Sequence, residues 1–490
     1  MDRPRAQVVE QEYGLFIGGA SVPSASRASS SVLDPATNRP IARVPSATHD
    51  DVASAVDSAR SAFENPAWQD LDPSKRGRLL WLLGQQIRDH FDELARLESQ
   101  NVGKPIREAR GDVAYVYKLF EYYAGMADKI QGATIPVPGA RLDYTVREPL
   151  GVTAHIAPWN YPLLLASRGI APALAAGNTV VLKPASLTPL TGLKLAELAM
   201  AAGFPPGVLN VITGPGREIG AGLVSHADVD AVTFTGSTDT GKQLLRMVAD
   251  RVVPTTLELG GKNPQIVLAD AKMDRAVPGA LWGAYQNAGQ MCWAGSKLLL
   301  HRDIASAFLA KLTNQIASMR IGAGIDDSTQ MGPLISREHA ATVQAAIDDG
   351  IERGAKPLAG GHPPDAPALR EGNFLLPTLF EDPPAESRVA REEVFGPVLS
   401  VWSFPDLDEA IERANDTPYG LSAGVWTQDV GKAHSIARRL KAGMVSVNEY
   451  PVTFPQTPFL GWKESGLGQE QGVDAVFFYT RVKNVLVNLE

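Results

Sequence analysis

The sequence predicts an α/β protein of two or more packed units, with a Rossmann-type parallel sheet in the first and a protruding β-hairpin. Three observations carry this expectation. Short apolar, β-rich segments (GVTAHIAP, NTVVLKP, LNVITG, AVTFTGS, PQIVLAD) alternate with helical patterns. Such alternation implies βαβ units, with a ligand site at the carboxyl ends of the strands. The 490 residues exceed the roughly 250–300 at which a single core stops growing. Finally, residues 130–148, IQGATIPVPGARLDYTVRE, offer two β-like stretches joined at Pro138-Gly139, which reads as a hairpin or as an irregular loop.

Taken in order, SVPSASRASS (21–30) reads as a polar loop. HDDVASAVDSARSAFEN (49–65) repeats Val52, Val56, Ala59 and Phe63 at helical spacing, and 74–101 continues in the same mode, so two amphipathic helices are expected. A second strand–helix region runs from about 265 to 460, and RVKNVLVNL closes the chain as a strand. Solenoid repeats and low-complexity tracts do not occur.

Hydrophobic residues make up 44% and charged residues 20%, ordinary globular usage. Net charge is −8 and the basic residues are scattered, so nucleic acid is not an expected partner. One cysteine allows no intrachain disulfide, which fits a reducing compartment. The opening MDRPRAQVVEQEYG lacks the apolar region of a signal peptide, and no apolar run reaches about 18 residues. A cytoplasmic protein without a membrane partner is expected.

The strand ends carry the chemistry. Asn160, in Trp159-Asn160-Tyr161-Pro162, is either a turn residue or a donor aimed into a site. Lys183 and Ser186, in KPAS, are either solvated or suited to ribose and phosphate oxygens. Gly214-Pro215-Gly216-Arg217-Glu218-Ile219-Gly220 misses the dinucleotide fingerprint because its third glycine comes one residue late. Gly236-Ser237 opens a helical segment, as a pyrophosphate site or a plain N-cap. Glu258 stands between two leucines before Gly260-Gly261. A carboxylate buried there must be paired or shift its pKa, which suits a general base; a snorkelling edge residue is the alternative. The single cysteine, Cys292 in GQMCWAG, is either a small core hydrophobe or a nucleophile.

Asn160 in PWNYP, KPAS, FTGST, LELGGKNP, GQMCWAGS, Glu393 in EVFGP, and PFLG stand in the order and approximate spacing of the aldehyde dehydrogenase superfamily. The resemblance runs from about residue 13 to 485, within the branch that includes betaine-aldehyde and semialdehyde dehydrogenases. It implies that Cys292 attacks an aldehyde carbonyl, and that the Asn160 amide and the Cys292 N–H hold the oxyanion. Glu258 then corresponds to the base that activates water to release a carboxylic acid. With the βαβ pattern, it implies a cofactor domain (1–125 and 149–259), a catalytic domain (260–460) and an oligomerisation arm (126–148 and 461–490). The exposed hairpin edge makes a homo-oligomer, dimer or tetramer, the expected state.

The same resemblance assigns Lys183 to the adenosine ribose, Gly236, Ser237 and nearby amides to the pyrophosphate, and Glu393 to the nicotinamide ribose. Ile156, Pro158, Trp159, Gly216 and Phe395 complete the groove. Ser186 stands where NAD-specific members often carry a glutamate. The implied cofactor is therefore NAD or NADP, with NADP tolerated because that carboxylate is missing. Tyr161, Arg168, Gln286, Met291, Trp293 and Phe459 correspond to the substrate tunnel, Trp293 with a purely structural role as its alternative. An arginine at 168 would repel a quaternary ammonium. It pairs with a substrate carboxylate in a semialdehyde reading, resembles aromatic-aldehyde members, or bonds to protein groups. A polar aldehyde or semialdehyde leads the expectation, ahead of aromatic and betaine or amino aldehydes. A thiol hydrolase using Cys292 and Glu258 without hydride transfer is the reading from another class; no metal is expected.

Overall fold

The computed structural model describes residues 11–490; most of the amino-terminal stretch read for a leader, residues 1–10, lies outside them. The first large sheet has central strands in the spatial order Leu209–Val211, Thr179–Lys183, Val152–Ile156, Ala231–Thr235, Thr255–Glu258. All four pairings among them are parallel. From Val152–Ile156 the chain builds outward on one side through the next two strands, then crosses to the other side for the last two. The order therefore reverses between Val152–Ile156 and Ala231–Thr235, which opens a crevice above their carboxyl ends. Thr179–Lys183 is buried along its whole length, as a strand covered on both faces must be.

Helices cover both faces. Helix His49–Glu64 starts at a capping box in which Thr48 and Asp51 exchange hydrogen bonds, satisfying backbone donors that a helix start leaves orphaned. The expected helix over 74–101 is two helices, Pro73–Asp89 and Phe91–Val102, broken at His90, whose Nδ1 lies 2.8 Å from the Gln86 carbonyl oxygen. The expected polar loop 21–30 is bracketed by strands Ala20–Val22 and Ser29–Asp34, because its backbone pairs with neighbouring strands even though its side chains are polar.

The second large sheet has the order Pro357–Ala359, Thr378–Glu381, Val398–Phe404, Lys297–His301, Pro264–Val267, Ser422–Trp426, Met444–Val447, parallel except at its first pairing. The hairpin at 130–148 forms as Thr134–Ile135 against Arg141–Pro149. Only Thr480–Asn488 of the segment 461–490 joins it, in a nine-pair register from Thr480–Pro149 to Asn488–Arg141. The preceding part returns to the first sheet, where Gly466–Leu467 pairs antiparallel with Thr255–Glu258.

One exposed residue is strained. Val252 adopts φ 54, ψ 41 and is 86% exposed. A β-branched side chain in the left-handed region costs about 1–2 kcal/mol. Val252→Gly is expected to raise the unfolding free energy by about 1 kcal/mol, after allowing for the freer unfolded glycine, and so to move the urea midpoint upward; a lower midpoint would count against the strain.

Candidate active site

Three segments converge between the two large sheets. The first is the end of strand Val152–Ile156 with the helix Pro162–Ala175 that follows PWNYP. Pro162 sits in its first turn, and the Leu163 N–H is capped by Glu98 Oε1 at 2.7 Å. The second is strand Thr255–Glu258 with Gly260-Gly261, and the third is the loop 286–295. Tyr161, Leu165, Met291 and Ala294 pack as one apolar cluster that ties the first segment to the third.

Cys292 is partly buried, and burial pushes its thiol up to about 12, with Arg168 pulling the other way. Asn160 is buried, and its amide donates to the Gln290 carbonyl at 3.0 Å. An amide nitrogen has two donors, and no second bond engages the other. Asn263 Nδ2 donates to the carbonyls of Cys292 and Ala294, at 2.9 and 3.0 Å, and fixes the loop just past the nucleophile.

Glu258 is buried, and among the described residues neither carboxylate oxygen has a hydrogen-bond partner. Burial, reinforced by Glu470, holds its pKa well above the usual carboxylate range, while Arg168 opposes the shift. An unpaired, desolvated carboxyl within electrostatic reach of the cysteine has the properties of a general base. Snorkelling is excluded by its 2% exposure.

Glu393 accepts from the Gly261 N–H at 3.0 Å and is pushed up to about 8 by burial. A Cβ on Gly260 would lie 2.2 Å from its Oε2, so only glycine lets this carboxyl approach. Trp159, Phe395 and His339 form an aromatic group, with 5.2 Å between the Trp159 centroid and each of the other two. Phe395 has φ 54, and its carbonyl lies 2.7 Å from His339 Nε2.

Farther along the crevice, Lys183 is 3% exposed and its side-chain amine has no hydrogen-bond partner among the described residues, and burial lowers its pKa to about 8. A Cβ on Gly216 would sit 3.5 Å from Lys183 Nζ, so the late-glycine motif lies beside this amine although it forms a helical turn, Gly216–Gly220. Ser237 caps helix Thr238–Val248 through the Thr240 N–H. Ser186 is exposed, but its hydroxyl donates to the Gly214 carbonyl at 2.7 Å and is not a free donor.

A cavity of about 320 Å³ leads to Cys292, lined by Tyr161, Arg168, Gln286, Met291, Trp293 and Phe459 among others. Arg168 faces the protein itself. Its Nη2 lies 2.9 Å from Glu470 Oε2, an ion-pair distance, and both residues are buried. Its guanidinium carbon lies 3.7 Å above the Phe459 ring, and Gln471, with its amide turned to satisfy both ends, accepts from Arg168 Nε at 3.1 Å. Glu470, His339 and Asn263 escaped the sequence reading. Glu470 lies in Gly468-Gln469-Glu470-Gln471-Gly472, where no apolar neighbour signals its burial.

The model of the aldehyde dehydrogenase family matches residues 22–485. The chain belongs to that family. A hydroxyisobutyraldehyde dehydrogenase of Mycolicibacterium austroafricanum is 44% identical over 476 residues, 97% of this chain and 94% of that protein. A betaine aldehyde dehydrogenase of Bacillus subtilis is 43% identical over 476 residues, 97% of both chains. The NAD+ complex of a Bacillus cereus aldehyde dehydrogenase aligns with TM-score 0.96 at 41% identity, covering 100% of this chain and 99% of that one. Among the described residues of this aldehyde dehydrogenase, no helix is long and apolar enough to cross a membrane, and no group of three or more His, Cys, Asp or Glu side chains is arranged to hold a metal.

Proposed function

We propose that the protein oxidises a neutral aldehyde to a carboxylic acid with a nicotinamide cofactor, using Cys292 as nucleophile and Glu258 as base. The observation that carries the chemistry is a lone thiol at the end of the cavity, a half-satisfied Asn160 amide bonded to the loop that carries it, and a buried carboxyl, Glu258, within electrostatic reach of that thiol and without a partner among the described residues. Cys292, as thiolate, bonds to the aldehyde carbon; the Asn160 N–H and the Cys292 N–H receive the oxyanion. A nicotinamide cofactor held in the crevice would supply the acceptor for the hydride of that carbon, and Cys292 would then carry a thioester. Glu258 takes a proton from water, the resulting hydroxide adds to the thioester, and the acid departs as the thiolate returns.

The crevice suits such a cofactor. A buried amine without a partner, Lys183, stands beside Gly216 at one end, and the Glu393 carboxyl and the Trp159–Phe395 pair stand at the other. These residues would hold the riboses and the nicotinamide. With no carboxylate at Ser186 to repel a 2′-phosphate, NADP is expected to be accepted as well as NAD. The arm, with Leu142, Val482, Leu486 and Leu489 more than two-fifths exposed, supports a homo-oligomer.

The Arg168–Glu470 pair bears on substrate class. A semialdehyde needs a free cation for its carboxylate, and here Glu470 already supplies that partner. With Tyr161, Trp293 and Phe459 around it, the cavity favours a neutral aromatic or hydroxyalkyl aldehyde, and the relative named for hydroxyisobutyraldehyde fits that class. The test is a matrix of NAD and NADP against benzaldehyde, hydroxyisobutyraldehyde, betaine aldehyde and succinic semialdehyde, with Cys292→Ala as control. Neutral aldehydes are expected to show the highest kcat/KM, with NADP within about tenfold of NAD, a gap of ~1.4 kcal/mol. Preference for succinic semialdehyde would sink the substrate reading. An NADP efficiency orders of magnitude below that of NAD would sink the cofactor reading, and turnover surviving in Cys292→Ala the mechanism.

A further inference from the structure

The turn leading to Cys292 is unusual. Asn287, Ala288 and Gly289 have φ values of 48, 54 and 70. Two consecutive residues with side chains therefore hold a conformation that such residues rarely adopt, and it persists only where the surroundings impose it. The constraint comes from a helix distant in sequence. Helix Ile106–Ala124 carries Glu108, which is 5% exposed, and its Oε2 accepts from the Asn287 N–H at 2.8 Å. Its Oε1 is buried with no partner, so the side chain's whole hydrogen bonding goes to this one amide.

We propose that Glu108 is a positioning residue for the nucleophile loop, its buried carboxyl oxygen locking the Asn287–Gly289 turn that presents both Cys292 and the Asn160 amide. The turn connects to both groups. Asn287 Nδ2 donates to the Asn160 carbonyl at 3.0 Å and to the Gln290 carbonyl at 3.3 Å, and the Gln290 carbonyl also receives the Asn160 side-chain amide. Gln290 is pinned in turn, its Nε2 donating to the Asn287 carbonyl and its Oε1 accepting from Ile335 N–H. A shift at Asn287 thus moves the sulfur and the oxyanion donor together.

Glu108 is itself held rigidly. The Ile106 N–H donates to the Gly324 carbonyl, which anchors the start of the helix to a distant loop. One turn later, Asp112 pairs with buried Lys104 at 2.6 Å, and the Lys104 ammonium lies 3.7 Å from the Tyr161 ring centroid in the cavity wall. The carboxyl therefore reaches the loop from a braced helix rather than from a mobile surface.

The role rests on the reading of Cys292 as nucleophile, and the single cysteine of the chain supplies a readout that needs no aldehyde activity. Alkylation by iodoacetamide reports on Cys292 alone. Glu108→Met removes the acceptor at similar length, and Glu108→Gln keeps it without the charge. In Glu108→Met, kcat at saturating substrate and cofactor is expected to fall about tenfold or more, with cofactor KM within about twofold, since misplacement near 1 Å costs rates of that order. Alkylation of the cofactor-free protein should be at least ~3-fold faster, because a released loop exposes the sulfur and relieves its desolvation. Glu108→Gln should match wild type in both. Unchanged kcat, unchanged or slower alkylation in Glu108→Met, or equal losses in Glu108→Gln would overturn the role. Should Glu108→Met fail to fold, Glu108→Asp, which withdraws the carboxyl by one methylene, is expected to behave as described for Met, and wild-type behaviour would overturn it. If the wild-type protein turns over no aldehyde, the dehydrogenase reading fails while the alkylation comparison still decides the role of Glu108.

Discussion

Glu258→Gln is expected to give a single burst of reduced nicotinamide followed by near silence. Glutamine preserves the shape of a side chain buried between Leu257 and Leu259, but it cannot take a proton from water. Cys292, Asn160 and the crevice are untouched, so thioester formation proceeds once per site and then stalls. Loss of a positioned general base typically costs about 10²–10⁴ in rate, and the steady-state rate should fall by that much. Rapid-mixing absorbance at the reduced-nicotinamide band separates the two phases. The wild type should show a further signature. Because burial and Glu470 hold the Glu258 pKa above the usual range, the carboxyl is more protonated at neutral pH than an exposed glutamate. Its basic form populates as pH rises, so kcat should climb through an alkaline limb. That limb should be missing from the residual rate of Glu258→Gln. Absence of a burst would mean that Glu258 also acts before the thioester, and a full steady-state rate would remove it from the mechanism.

How much of this was legible beforehand follows from where the information lies. The parallel strands that were readable are short β-rich segments with apolar residues in the majority, as Thr179–Lys183 is with Val180-Val181-Leu182 at its centre, a composition that suits a strand buried on both faces. Glu258 and Cys292 stood out because each sits in surroundings its chemistry makes unusual, a carboxyl among leucines and a thiol among bulky apolar residues. The break at His90 was not visible, since apolar spacing continues across it and the interruption is a local contact with Gln86. Nor was the fate of Arg168. Its partner, Glu470, is brought back by the pairing of Gly466–Leu467 with Thr255–Glu258 and by the Phe459–Glu470 bridge. No local pattern encodes those contacts, so the sequence alone does not separate a substrate carboxylate from a protein group as the partner. Ser186 failed differently: its replacement of an acidic residue was readable, but the engagement of its hydroxyl by Gly214 depends on how two loops meet.

Arg168→Leu should be the most destabilising change near the site, by about 3–5 kcal/mol, because it leaves the Glu470 carboxylate buried without its counter-charge. Glu470 is 3% exposed, and burial already raises its pKa, with Arg168 the group that lowers it. Removing the arginine raises it further. A carboxyl whose folded pKa exceeds its unfolded value, about 4.3, binds more protons folded than unfolded, so stability declines as pH rises between the two values. Arg168→Leu should therefore lose more stability relative to wild type at pH 9 than at pH 6, where Glu470 can fold as the neutral acid. Glu470→Leu alone strands the arginine instead. The double variant Arg168→Leu/Glu470→Leu removes both charges and should recover most of the loss, since a buried ion pair replaced by apolar groups is often neutral in stability. Strictly additive losses, measured by urea unfolding at both pH values, would mean that the two side chains do not act as a pair. The rescued variant should also alkylate at Cys292 more slowly than wild type. Arg168 is the cation that pulls the thiol pKa down, and an apolar pair restores the packing without restoring that charge.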